Sequence, residues 1–188
     1  TDWVSSPGVQ RAMAMVDFDV RLRALEPSDL DQLLQWENNP EHWKAGPRYA
    51  PFSKAMMQAY LDAAKRDFWE VGQLRWMIED AAYSPLGLVD IYDASPLHQH
   101  ASVGLLVDPA LRGRGIAPAA LKAVQAWATE HALLRTLKAE MLTINHAARS
   151  AFTSANFKEV GTMQQWYHMS DGWQDMVIMQ WQRPKRQS

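Results

Sequence analysis

The stretch from Ala101 to Leu121 constrains this chain more than any other. Ala101 to Val107 is an almost uninterrupted apolar run, the pattern of a strand in the interior of a sheet. It ends at Asp108-Pro109, turns through Arg112-Gly113-Arg114-Gly115, and passes at once into a helix whose Ile116, Ala120, Val124, Trp127 and Ala128 share one face. Backbone N–H groups at a helix start lack intrahelical partners, and the helix dipole adds positive potential there, so this turn forms an anion site. Two glycines let a phosphate come close to the main chain, and Arg112 and Arg114 can add charge-assisted contacts. Pro118 in the first helical turn costs little, because its missing N–H would have been unpaired anyway.

A glycine-rich turn between strand and helix can also be a tight connection and nothing more. Among phosphate loops, the P-loop pattern requires Gly-Lys followed by Ser or Thr, which is missing here. The dinucleotide fingerprint requires a small residue where Pro118 stands.

The surrounding periodicities predict one mixed domain. Val20, Leu22 and Leu25 mark a first strand; Leu30, Leu33, Leu34 and Glu37 mark a helix ended by Asn38-Asn39-Pro40. Glu41 to Phe52 reads as a structured loop or short helix beside a cleft, and Ser53 caps a helix carrying Met56, Met57, Tyr60, Leu61 and Ala64. Strands are expected at Leu74 to Glu79 and Leu86 to Tyr92, with a polar loop over Asp93 to His100. After the central helix, a strand over Leu137 to Thr143, a short helix over Asn145 to Ala155, and a hairpin of Val160 to Met169 with Trp173 to Trp181 complete the order. Residues 1–17 read as an arm, 18–183 as the domain and 184–188 as a polar tail.

Composition excludes several functions. A formal charge of -2 gives no global field for a polyanion, so nucleic-acid binding is not expected. The absence of cysteine removes disulfides, thiolate metal sites and a thiol nucleophile. No apolar window is long enough to span a membrane, and residues 1–17 lack a secretion signal's pattern, so a cytoplasmic location with no membrane partner is expected. His98 and His100 form a His-x-His pair with no third ligand at convincing spacing, so no metal is expected.

The loop resembles the acyl-CoA loop of the GNAT superfamily, whose pattern is Arg or Gln, two residues, Gly, one residue, then Gly or Ala. Arg112, Gly115 and Ala117 match it. The likeness runs from about Asp19 to Trp181 through element order, the Val-x-Pro strand exit at Val107 to Pro109, Asn145 opening the next helix and an Ala-Asn-Phe exit at 155–157. Asp171-Gly172 and Asp175 resemble the branch of spermidine and ribosomal-protein N-terminal acetyltransferases. The resemblance implies an α/β fold of the α+β type: a mixed, mostly antiparallel central sheet with a splayed parallel strand pair and flanking helices. It implies acetyl-CoA as co-substrate, its pyrophosphate on Arg112, Gly113, Arg114, Gly115, Ile116 and Ala117. Main-chain groups of Leu105 and Val107 would pair with the pantetheine amides, and an N–H near Leu106 would polarise the thioester carbonyl. Asn145 would touch the cofactor arm, cap the following helix, or do both.

One position departs from the family. The Tyr that protonates the departing thiolate in many relatives is Phe152 here, which cannot donate a proton. An alkyl thiol of pKa about 8.5 is still a tolerable leaving group near neutrality. Tyr167 or His168, on opposite faces of one strand, could replace the donor. A protonated amine acceptor needs a base or a water chain to a carboxylate, and Asp90, sharing a face with Tyr92, is the first candidate ahead of Asp93. Acceptors expected are a polyamine, for which Glu37, Glu41, Asp90 and Asp93 could converge, or a protein N-terminus. Trp36, Trp43, Tyr49 and Trp166 are candidates for a cleft wall, with core packing the default for each. Exposed aromatics in the last hairpin could support a homodimer. The competing function is a non-catalytic acyl-CoA-binding module, for which Phe152 is the best support.

Overall fold

A computed structural model describes residues 19–43, 50–64 and 66–184; the expected arm over 1–17, Tyr49 and residues 185–188 of the tail lie outside them. Helices are α1 (Leu30–Glu37), α2 (Pro40–Trp43), α3 (Lys54–Ala63), α4 (Phe68–Val71), α5 (Ile116–Glu130) and α6 (His146–Ser154). Strands are β1 (Arg21–Ala24), β2 (Leu74–Glu79), β3 (Pro85–Ser95), β4 (His100–Val107), β5 (Thr136–Leu142), β6 (Lys158–Met169) and β7 (Gly172–Gln182). They form one sheet in the order β1-β2-β3-β4-β5-β7-β6, antiparallel throughout except for β4 and β5. The expected mixed sheet with a single parallel pair is therefore present.

Helices cover both faces. Alternation along β2 to β4 sends Trp76, Ile78, Val89, Ile91 and Val103 to the α5 side, where they meet Ile116, Ala120, Leu121 and Val124. Met77 and Leu88 point the other way, onto Leu33 and Trp36 of α1 and Met57 and Leu61 of α3. Caps are as the spacing predicts: the Ser53 hydroxyl accepts from the Met56 N–H, and Asn145 Oδ1 accepts from the Ala148 N–H at 3.1 Å. At the other end, Arg23 grips Asp29 through two guanidinium nitrogens at 2.7 and 2.8 Å, fixing where α1 departs from β1.

Two local features differ from the sequence reading. The four-residue α4, capped by the Asp67 side chain, precedes β2. β3 does not stop at Tyr92: a bulge with Asp93 at φ 51° carries it on to Ser95, which pairs with His100. The loop expected over Asp93 to His100 is thus confined to residues 96–99. In the final hairpin Trp166 and Trp173 are exposed, as expected of its aromatics, so the default of core packing does not hold for Trp166. Among the described residues no helix is long and apolar enough to cross a membrane.

Candidate active site

The parallel pair opens after three residues. His100, Ala101 and Ser102 pair with Thr136, Leu137 and Lys138; beyond them β4 stays with β3 as far as Val107, while β5 follows β7 as far as Leu142. Each strand keeps its antiparallel partner, and the sheet parts between them. Burial records the gap, since Ala101 to Val103 are buried whereas Gly104 to Val107 are half-buried. Leu105, Leu106 and Val107, expected to meet a pantetheine arm and thioester, all lie on this stretch without a strand on the β5 side. Their path is shaped by Gly87 of β3: a Cβ there would lie 2.2 Å from the Leu106 carbonyl oxygen and 2.9 Å from Val107 Cα. Gly87→Ala is expected to push Leu106 and Val107 aside, costing about 1–3 kcal/mol by overpacking. Coenzyme A titration of that variant should show weakened binding; unchanged affinity would detach this stretch from the cofactor.

β4 leads through a short 3-10 turn, Pro109–Leu111, into the glycine turn. Gly113 and Gly115 adopt φ of 77° and 85°, left-handed values that side-chain-bearing residues avoid. No side chain caps α5, so its first N–H groups have no capping acceptor. Ile116 is buried and anchors the helix, Ala117 is half-buried, and Arg112 and Arg114 are exposed on the rim. Open space at Gly113, uncapped N–H groups and two guanidinium side chains suit a pyrophosphate. Helices from the opposite layer are tied to this turn. Trp36 Nε1 donates to Asp108 Oδ2 at 2.9 Å, and Arg112 Nη2 stands 3.1 Å from His42 Nδ1. Burial, reinforced by the Arg112 charge, holds the His42 pKa below its ordinary value.

Asp90 and Tyr92 share the α1 side of β3, as strand parity predicts. Asp90 is buried, and its partner across the ladder is Gly104. A Cβ at Gly104 would lie 2.5 Å from Asp90 Oδ1 and 3.6 Å from Tyr92 Cε1, so the missing side chain lets both groups lean over the point where β4 leaves β5. Oδ2 is held at 3.2 Å by both Gln73 Nε2 and Arg75 Nη2. Arg75 also donates to Glu37 Oε1 at 2.7 Å and packs on the Tyr60 ring at 4.9 Å. Burial opposes the charge on Arg75, but Asp90, Tyr60 and Glu37 outweigh it and raise its pKa. Of the four acidic residues expected to converge, Glu37 and Asp90 therefore meet through one guanidinium. Glu41 and Asp93 are exposed.

Across the gap β5 presents Glu140, ion-paired with Lys138 at 2.6 Å. Tyr92 is pushed up to about 12 by burial first, then by the charges of Asp90, Glu140 and Asp93 and by Tyr167. Burial and Glu140 likewise raise Tyr167, so both phenols stay protonated near neutrality. Tyr167 follows a bulge in β6 with Gln165 at φ 48°, where the Gln165 N–H donates to Asp175 Oδ1 at 2.7 Å. Sequence reasoning missed Arg75 and Glu140 and placed His42 only within a segment beside a cleft; Tyr92 carried a signal in its parity with Asp90.

Phe152 is buried, its ring edge-on to Phe157 at 4.9 Å between centroids. Asn145 is the helix cap described above. Of the aromatic candidates for a wall, Trp36 is core, and Trp43 is half-buried with Nε1 donating to the Glu37 carbonyl. His98 and His100 stack on each other at the turn, 6.0 Å between centroids.

Residues 19–158 match the family model described as an acetyltransferase (GNAT) domain. Among solved structures, spermidine N-acetyltransferase from Vibrio cholerae in complex with CoA and spermine superposes with a TM-score of 0.80 at 20% identity, covering 87% of this chain and 95% of that one. The spermidine/spermine N-acetyltransferase of the same organism in complex with manganese ions gives 0.73 at 20% identity, covering 87% and 92%. No curated protein matches by sequence.

Proposed function

This chain belongs to the GNAT acetyltransferase family as an acyl-CoA-dependent N-acetyltransferase with acetyl-CoA as co-substrate, and we propose that it acetylates a primary amine by direct attack in a ternary complex. The observation that carries this reading is the meeting of Asp90, over Gly104, with the parting of β4 and β5, one strand length from the glycine turn. Bound acetyl-CoA supplies the thioester carbonyl. The turn from Arg112 to Ala117 holds its pyrophosphate, with Asn145 beside the cofactor arm. The main chain of Leu105 and Val107, which has no strand on the β5 side, orients that arm, and an N–H near Leu106 takes charge that develops on the carbonyl oxygen.

Asp90 attracts the incoming ammonium and takes its proton, directly or through water, which leaves a nucleophilic amine. As the C–N bond forms and the C–S bond breaks, the nitrogen loses a proton and the sulfur gains one, and the proton shed by nitrogen, passed through water, restores the group that protonates the sulfur. Phe152 has none to give, and Tyr167, kept protonated by burial and Glu140, is the donor we assign. Glu37 and Asp90 share a single cation, Arg75, so one net negative charge stands beside the gap, which suits a cationic acceptor. The likeness to spermidine and spermine acetyltransferases supports a polyamine ahead of a protein N-terminus.

Thiol release from acetyl-CoA, followed across spermidine, spermine, simple diamines and N-terminal peptides with CoA affinity measured in parallel, tests the proposal. Turnover on spermidine or spermine is expected. Binding without turnover on the whole panel would favour the non-catalytic module that Phe152 suggests, and absence of CoA binding would overturn the cofactor assignment.

A further inference from the structure

We infer that His42, a residue outside the glycine turn, positions the cofactor by holding the Arg112 guanidinium. The inference rests on the reading of Arg112 to Ala117 as the cofactor turn. Guanidinium nitrogens only donate, so the 3.1 Å contact requires a lone pair on His42 Nδ1. That makes the ring neutral, as burial and the Arg112 charge both favour, with its proton on Nε2, a buried atom that has no hydrogen-bond partner among the described residues. Arg112 is exposed, and a long exposed side chain samples many rotamers unless something fixes it. His42 is half-buried at the end of α2, whose position is set by Trp43 Nε1 on the Glu37 carbonyl at 2.7 Å. A fixed acceptor thus meets a mobile donor. Trp36 on Asp108 makes a second tie four residues before Arg112, so the α1 to α2 unit grips the exit of β4 at two places. His42 lowers the entropy that Arg112 would lose on meeting phosphate, which is preorganisation of the binding site.

Titration calorimetry of the full chain with coenzyme A tests this. His42→Ala is expected to weaken binding about fivefold, the scale of one hydrogen bond. His42→Asn, whose amide oxygen can accept in place of Nδ1, should recover most of that loss. Arg112→Ala should weaken binding at least as much, and the double variant should bind like Arg112→Ala alone. Unaltered affinity in His42→Ala, or an equal loss in the Arg112→Ala background, overturns the inference, since His42 would then not act through Arg112. If Arg112→Ala binds coenzyme A normally, the reading of the turn itself fails.

Discussion

Asp90→Asn is expected to cut turnover about a hundredfold, the usual contribution of a positioned base, while coenzyme A binds as before. The substitution keeps the shape of the side chain and its place over Gly104, where a Cβ would collide at 2.5 Å. It removes the negative charge that draws an ammonium and the lone-pair basicity that takes its proton. Affinity for the cofactor should not move, because the glycine turn and the main chain of Leu105 to Val107 lie farther along the chain than Gly104. Rate and affinity must be read together. A fall in both would point to displaced backbone rather than lost chemistry. A rate that did not change would remove Asp90 as the base and turn attention to Glu140, on the opposite wall and within electrostatic reach of the same Tyr92. Saturating amine separates the two duties of the carboxylate: attraction shows in KM, proton removal in kcat.

Asp90 was legible because strand parity places it with Tyr92 on one face, and because β4 and the glycine turn announce the strand beside it. The turn itself was readable in full, since its requirements are local: two left-handed glycines and a helix start. What pairs with Asp90 was not readable. Arg75 and Asp90 are fifteen residues apart and become neighbours only once β2 and β3 adopt their antiparallel register, in which Arg75 lies opposite Asp90. Glu37 comes from a helix on the other layer. Four acidic side chains in the sequence therefore suggested an acidic cleft, whereas folding brings one cation between two of them. The bulge at Asp93 was hidden for a related reason: an aspartate at positive φ differs by conformation, not by composition, from one in regular strand. Glu140 alternates with apolar Ala139 and Met141 along β5 and looks like any solvent-facing strand residue. Only the parting of β4 from β5 turns that solvent face into the wall of a site.

Arg75→Met is expected to destabilise the fold by about 3–5 kcal/mol, because it leaves Glu37 and Asp90 together with their shared cation gone. Their side chains are only 12% and 13% exposed, so water does little to replace the guanidinium. At this chain length such a loss should lower the melting temperature by roughly 10 °C. Arg66→Met is the contrast, since Arg66 and Glu70 form an i, i+4 ion pair with both side chains 55% exposed. Removing it should leave the melting temperature essentially unchanged, because solvent screens an exposed pair. Arg75→Lys should fall between, because one ammonium retains the charge but lacks the fork that reaches Glu37 and Asp90 at once. A Met variant as stable as the parent would mean that the two carboxylates are solvated in spite of the packing around them. Melting curves for the three variants thus measure how far one guanidinium holds Asp90 in place, and the base role proposed for Asp90, which aims it over Gly104, requires that guanidinium first.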